Sequence, residues 1–180
     1  MADAGTEFTY SNTSSHLVAA VLAAAFQRAD GDHPRSVLDY AREKLFDPLQ
    51  IDTRPAYTKP IPYTAAAEFV DAGFGWGTDP HGIALGAFGL RLRTPDLLKL
   101  GELYRNNGTW HGKQILPANW VKQATSPSEL NPQYGLMPWL YTWNGHEIYA
   151  ARDSEGHLIV VVPDQKSVTA ISSGNRQEYP

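Results

Sequence analysis

The sequence contains no cysteine, which excludes disulfide bonds, cysteine-ligated zinc and thiol catalysis for its 180 residues. Long hydrophobic runs are also missing: the longest, from Leu17 to Phe26, has about ten residues, roughly half of what a bilayer span needs. No positively charged stretch leads into an apolar segment near the start, so we expect no signal peptide. These absences predict no membrane partner, and they leave the compartment open with the cytoplasm favoured.

An excess of charge of either sign is missing as well. The 15 Lys and Arg residues stand against 19 Asp and Glu residues, a formal net charge of −4. Such a chain offers no basic field to a phosphate backbone, so we predict no nucleic-acid partner. The six histidines include no pair at helical i, i+4 spacing with a glutamate between them, which predicts no metal site.

Helical periodicity dominates the first two thirds of the chain. Apolar residues recur on one helical face from Leu17 to Phe26, and Asn12 to Ser15 supply oxygens that can cap the first amide groups. Proline and glycine positions mark the ends of further helices. The pattern predicts four helices: 13–27, from near Pro34 to before Pro48, 95–106, and from Pro117 to about Ala124.

A long irregular loop is predicted over 51–88, because prolines and glycines break every periodicity there. The last third then changes to β-branched and aromatic runs. These runs predict an antiparallel meander with strands at 139–143, 148–151, 158–162 and 168–172. Asn144-Gly145 is typical of a two-residue hairpin turn, and the continuous apolar run 158–162 indicates a central strand covered on both faces.

The tripeptide Tyr10-Ser11-Asn12 places a phenol and a carboxamide directly before the first helix. Together with Gly89-Leu90-Arg91-Leu92 and Leu116-Pro117-Ala118-Asn119-Trp120, it resembles the serine β-lactamase and penicillin-binding-protein superfamily. The nearest branch holds class C enzymes, carboxylesterases and 6-aminohexanoate-dimer hydrolases. In that family the nucleophilic serine lies upstream, in a Ser-x-x-Lys motif that occurs nowhere in this chain. The resemblance covers about residues 5 to 175 and implies the C-terminal part of a hydrolase that lacks its nucleophile.

The fold that the resemblance implies is α/β, of the α+β type. We expect one incomplete β-lactamase-like domain over 1–180, lacking its N-terminal part. A mainly helical region, 1–133, would hold the loop 51–88, and an antiparallel sheet would follow over 134–175. Because the family covers this sheet with elements that this chain lacks, we expect part of the sheet surface to be exposed.

The chemistry that the resemblance implies is acyl transfer. A serine attacks an ester, amide or lactam carbonyl of a small molecule, and water then hydrolyses the acyl-enzyme, with no cofactor. By the resemblance, Tyr10 would be the base and acid and Asn12 the positioning amide. Backbone around Arg152, Asp153 and Ser154 would bind the substrate oxyanion. Without nucleophile and lysine, we expect low or absent turnover.

Other interpretations stay open. Tyr10 could be a tyrosine packed by its ring, Ser11 a turn or cap serine, Asn12 a helix cap, and the segment after Arg152 a solvated hairpin turn. Asp153 and Glu155 would oppose a developing negative charge at an oxyanion site. The whole chain could instead be a non-catalytic binding or partner-dependent module that recruits a complementary N-terminal chain or self-associates. An independent fold with only local similarity is the third possibility.

Overall fold

The computed structural model describes residues 3, 5–54, 56, 58, 74–153 and 156–173. The chain divides into two compact units. The first unit is Thr9–Arg93, and the second unit combines Met1–Phe8 with Thr94–Pro180. The expectation of a single domain over 1–180 stays a prediction.

Two helices form the first part of the first unit. Helix α1 is Asn12–Asp30, and α2, Val37–Ala41, continues as a π-helical turn, Arg42–Phe46. The start of α2 carries a capping box, in which Ser36 and Asp39 bond reciprocally through side chain and backbone. Both predicted helices are confirmed, with α1 extending to Asp30 instead of ending at 27.

Aromatic side chains form part of the core of the first unit. The Phe46 ring is 1% exposed and packs at 5.5 Å from Phe74 and 6.2 Å from Trp76, measured between ring centroids. Strand β1, Gly75–Trp76, pairs with β2, Leu90–Arg91, and is otherwise surrounded by turns. The irregular prediction for 51–88 therefore holds in the described part, and residues 55, 57 and 59–73 of that loop lie outside it.

The second unit contains two helices and a four-stranded sheet. Its elements are α3, Thr94–Arg105; β3, Thr109–Trp110; β4, Lys113–Gln114; α4, Ala118–Ala124; β5, Trp139–Trp143; β6, His146–Arg152; β7, Leu158–Val162; and β8, Ser167–Ile171. The sheet order is β5-β6-β7-β8 with every pair antiparallel, which confirms the predicted meander. Both predicted helices of this unit are confirmed. None of the helices in the described ranges is long and apolar enough to cross a bilayer.

The turn between β5 and β6 explains why sequence predicts this hairpin so well. Asn144 and Gly145 both have positive φ, at 50° and 80°. A two-residue turn of this kind matches the twist of the strands, and asparagine and glycine adopt it with little strain. The two residues therefore fix the register of the hairpin.

Helix α3 covers one face of the sheet. Gly101 lies against Ile159 and Val168, and Val161 on the same face is 2% exposed. The opposite face of β7, which carries Leu158 and Val160, is only half-buried. Strand β7 is central, as predicted, and the prediction that both its faces are covered holds for the α3 face and stays a prediction for the other. The expectation of exposed sheet surface holds.

Candidate functional site

Tyr10 and Asn12 flank the residue that caps α1. Ser11 is extended, with φ −147° and ψ 120°, and its hydroxyl accepts a hydrogen bond from the backbone N–H of Ser14 at 3.4 Å. Of the capping residues that the sequence offers, Ser11 performs the role and Asn12 to Ser15 do not. Asn12 is exposed, and its carboxamide makes no hydrogen bond to any residue that the structure describes.

The Tyr10 side chain lies at the surface of the first unit. Its exposed fraction is 54%, so the ring is not part of a packed core. The interpretation of Tyr10 as a tyrosine packed by its ring stays open beside the catalytic one.

One turn further along α1, a hydrogen bond between two side chains holds a loop to the helix. His16 Nε2 lies 3.2 Å from Asp79 Oδ2, and Asp79 Oδ1 accepts the backbone N–H groups of His81 and Ile83 at 2.8 and 2.9 Å. Partial burial opposes ionisation, but hydrogen bonds from Ile83 and His16 lower the pKa of Asp79 below its ordinary value. Sequence reasoning missed this pair, because its two residues are 63 positions apart.

Arg152 and Asp153 lie at the end of β6 in the second unit. Asp153 Oδ1 accepts the backbone N–H of His157 at 3.0 Å, and the Asp153 N–H donates to the His157 carbonyl at 3.2 Å. The imidazole of His157 in turn accepts the N–H of Ser173 at 3.2 Å. Asp153 thus closes the hairpin between β6 and β7, as the turn interpretation requires. Ser154, with Glu155, lies outside the described residues.

A row of aromatic side chains in edge-to-face and tilted contact ends at Arg152. Its guanidinium carbon lies 4.9 Å from the Trp139 ring centroid. The Trp139 ring lies 4.9 Å from that of Tyr134, which lies 5.2 Å from Phe8. Sequence reasoning missed this row, because its members are brought together only by the folding of the second unit.

The predicted site residues therefore fall into two groups. Tyr10 and Asn12 belong to the first unit, and Arg152 and Asp153 to the second. Their catalytic and substrate-binding roles stay predictions. No group of three or more histidine, aspartate or glutamate side chains suited to a metal occurs in the part of the chain that the structure describes.

Known structures share this fold. A Bacillus anthracis protein assigned as a 6-aminohexanoate-dimer hydrolase matches with a TM-score of 0.71 and 20% identity, over 94% of this chain and 39% of its own. A penicillin-binding-protein homologue from Caulobacter crescentus matches with a TM-score of 0.57 and 17% identity, over 92% of this chain and 52% of its own.

The matches are structural alone, since no family model and no curated protein matches the sequence. Both structures belong to the serine β-lactamase and penicillin-binding-protein superfamily. The chain spans well under two thirds of the length of either one. It has a mixed α/β fold with antiparallel sheets, and this fold is part of the β-lactamase-like fold that the sequence resemblance implies.

Proposed function

We propose that this chain is the C-terminal portion of a β-lactamase-like serine hydrolase that acts on ester or amide bonds through an acyl-enzyme. The substrate is a small ester, amide or lactam, and no cofactor or metal takes part. Because the chain has no Ser-x-x-Lys, it is inactive alone. The cytoplasmic location favoured by the sequence stays a prediction.

One observation carries the proposal: Tyr10-Ser11-Asn12 presents its first and third side chains to the outside. The cap role falls to Ser11, so neither Tyr10 nor Asn12 is needed to start the helix. Tyr10 is 54% exposed and Asn12 is exposed. A phenol and a carboxamide two residues apart, both unburied, support roles as the acid/base group and the carbonyl-holding amide of an acyl-transfer site.

In the proposed reaction Tyr10 is the general base that takes the proton of the attacking serine hydroxyl as the hydroxyl oxygen bonds to the substrate carbonyl carbon. Asn12 donates from its amide nitrogen to the substrate. Tyr10 then returns the proton to the leaving group when the scissile bond breaks. Water, deprotonated in the same way, releases the acid from the acyl-enzyme.

The hairpin after Arg152 contributes one part of the anion site in this proposal. The Asp153 N–H already donates to the His157 carbonyl within the hairpin, and Ser154, the next residue of the predicted anion site, lies outside the described residues. The Asp153 carboxylate accepts a backbone hydrogen bond inside the turn. This bond reduces the repulsion that the sequence leads us to expect between that carboxylate and an oxyanion.

The test is turnover of nitrocefin and of a fluorogenic short-chain ester. We expect no turnover by the chain alone. We also expect an in-frame Ser-x-x-Lys in the DNA just upstream, and turnover by the chain once that segment is included. Tyr10→Phe should then lower kcat by roughly 100-fold or more.

Tyr40→Phe is the matched control for Tyr10→Phe. Tyr40 is a 36% exposed tyrosine of the same unit, and phenylalanine keeps its ring contact with Phe26. If the unextended chain shows turnover, and Tyr10→Phe abolishes that turnover, the claim that the chain is inactive alone is refuted. An extended chain that is folded but catalytically inactive would refute the hydrolase proposal itself.

A second candidate is a partner-dependent, non-catalytic module, which an exposed apolar face of α1 favours. Leu17, Val18 and Val21 lie on adjacent positions of that helix and are 59, 70 and 66% exposed. Isolated exposed aliphatic residues are common, but three neighbours on one helix form a patch that a partner helix can cover. The occupant in this proposal is the complementary chain, carrying an apolar helix.

Size-exclusion chromatography with light scattering tests the second candidate. A module awaiting its complement should self-associate in a concentration-dependent way, and Val18→Glu should reduce that association. Leu130→Glu, at a residue that is 46% exposed in a different unit, is the control. A defined monomer at every concentration would rule out the second candidate.

A further inference from the structure

The imidazole of His157 joins the hairpin between β6 and β7 to the end of β8. The backbone N–H of Ser173, which follows β8, donates to His157 Nδ1 at 3.2 Å. Within the hairpin, the carboxylate of Asp153 accepts the backbone N–H of His157 at 3.0 Å. The two segments also touch at Gly156, where an added Cβ would lie 3.2 Å from the Cβ of Ser173. One ring therefore holds the chain after β8 against the turn that follows Arg152.

The hydrogen bond from Ser173 determines which nitrogen of His157 carries the proton. A backbone N–H can donate only to a nitrogen with a free lone pair, so Nδ1 is unprotonated, the proton lies on Nε2 and the ring is neutral. Nε2 lies 4.0 Å from Asp153 Oδ2, which is too far for a hydrogen bond. The contact between His157 and Ser173 thus belongs to the neutral imidazole.

A proton on Nδ1 changes both contacts of the ring. It would place two N–H donors against each other at 3.2 Å, so the hydrogen bond from Ser173 cannot persist. The imidazolium is at the same time attracted to the Asp153 carboxylate, and a small movement of the ring turns the 4.0 Å contact into a charge-assisted hydrogen bond. Histidine is the side chain that ordinarily changes its charge between pH 5 and 8. The two charge states of His157 therefore favour two different partners.

Other charged side chains near this turn have partners of their own. In β6, the guanidinium of Arg152 lies over an aromatic ring at 4.9 Å. At the start of α3, which a hydrogen bond between hydroxyl groups ties to the chain after β8, Asp96 pairs with Lys99 at 2.8 Å. Among the described residues, Asp153 is the acid that faces the imidazole, and Glu155 of the same turn lies outside them.

We propose that His157 is a pH-sensitive latch between this turn and the end of β8. The neutral ring holds Ser173 to the turn, and the protonated ring releases Ser173 and pairs with Asp153. The latch acts at the turn where the sequence places the substrate oxyanion. It does not rest on the proposed reaction, because each step takes place in the folded chain without substrate. Mild acid should therefore free the backbone at Ser173 while the rest of the sheet stays folded.

The experiment follows the purified, ¹⁵N-labelled chain by NMR at pH values from 8 to 5, the range in which histidine changes charge. At pH 8 we expect a ¹⁵N–¹⁵N coupling between the Ser173 amide and His157 Nδ1, which only an N–H···N hydrogen bond transmits. At pH 5 that coupling should be lost. Between these values the Ser173 amide proton should shift in a one-proton transition, with the same midpoint as the ring protons of His157.

Three variants test the assignment. His157→Asn keeps an acceptor oxygen near the position of Nδ1 but cannot be protonated in this range, so the Ser173 amide should no longer respond to pH. Asp153→Asn still accepts the His157 N–H but carries no charge, so the Ser173 transition should move to lower pH. His111→Asn is the matched control, because His111 has a φ of 45° that asparagine tolerates. It should leave the Ser173 transition unchanged.

Three outcomes would overturn the inference. The first is a Ser173 amide that stays constant while the His157 ring titrates. The second is a Ser173 transition that survives His157→Asn in a chain with unchanged amide dispersion. The third is a simultaneous change in all amides of β7 and β8, because it would report acid unfolding of the sheet instead of a local release.

Discussion

Gly101 of α3 lies directly against Val168 of β8, at a point where no side chain fits on the helix. A Cβ at position 101 would come within 2.9 Å of Ile159 Cγ2 and closer still to Val168 Cγ1. Both neighbours are β-branched and belong to the sheet, so neither can rotate aside easily. Glycine at this position lets the helix backbone approach the sheet, and that approach covers one face of β7 and β8.

Replacing Gly101 by alanine should destabilise the chain. Alanine favours a helix by about 1 kcal/mol over glycine, but overpacking here should cost about 1 to 3 kcal/mol, so the net change is a loss of stability. Urea unfolding followed by circular dichroism measures it. Combining Gly101→Ala with Val168→Ala should cost less than the sum of the single changes. A stabilised Gly101→Ala variant would show that α3 does not pack this closely.

Ser11 and Asn12 should respond differently to truncation. Ser11→Ala removes the acceptor for the Ser14 N–H, and we expect a loss of about 0.5 to 1 kcal/mol, at the lower end because the bond is 3.4 Å long. Asn12→Ala should leave stability nearly unchanged and should lower activity in the extended, active form. Thermal unfolding of both variants provides the comparison. A larger stability loss for Asn12→Ala would return the cap role to that residue and weaken its assignment to the site.

Replacing Lys166, in the turn between β7 and β8, by glycine should stabilise the chain. Its φ is 49°, a left-handed conformation that lysine adopts only at a cost, and its N–H donates to the Pro163 carbonyl at 3.0 Å. Lys166→Gly should stabilise the chain by about 0.5 to 1 kcal/mol, because glycine accepts this φ without strain. Lys166→Ala is the control, since it removes the charge and keeps the strain. Equal unfolding midpoints for the two variants would exclude backbone strain at this turn.

Local sequence patterns predicted most of the secondary structure. Asn144-Gly145 and the apolar run of β7 predicted the hairpin and the central strand because turn conformation and side-chain alternation are set by a few neighbouring residues. Helix ends were less certain. The cap of α1 could have been any of several polar residues, and only backbone angles show that Ser11 takes the role.

Contacts between residues far apart in the chain could not be predicted from the sequence. His16 and Asp79 are 63 positions apart, and nothing in their local patterns indicates that they pair. The contact of Arg152 with Trp139 depends on the register of β5 against β6, which a sequence can predict only once the hairpin is known. Sequence therefore predicted Tyr10, Asn12 and Arg152 as candidates, while the structure was needed to show which of their neighbours restrain or expose them.

Alkaline pH should destabilise the chain through Tyr149. Burial, the main cause, raises the pKa of Tyr149 from 10.0 to about 12, and its ring lies 6.4 Å from Tyr104 on the face of the sheet that α3 covers. Because the folded pKa lies above the unfolded one, the neutral phenol stabilises the fold fully below pH 10. That contribution is lost as pH rises through 12. Two pKa units set a ceiling of about 2.7 kcal/mol, and partial exposure of the ring brings the expected loss to about 1 to 2 kcal/mol.

Urea unfolding at pH values from 8 to 12 tests this dependence. Tyr149→Phe should reduce the fall in unfolding free energy above pH 10, because phenylalanine cannot ionise. Tyr141→Phe is the control: Tyr141 is 37% exposed and pairs with Ile148, so it points to the opposite face of the sheet. That substitution should leave the slope unchanged, since the Tyr141 phenol is solvated in the folded and the unfolded chain alike. If both variants lose stability above pH 10 as steeply as the parent, Tyr149 is not the group whose ionisation opens the contact between α3 and the sheet.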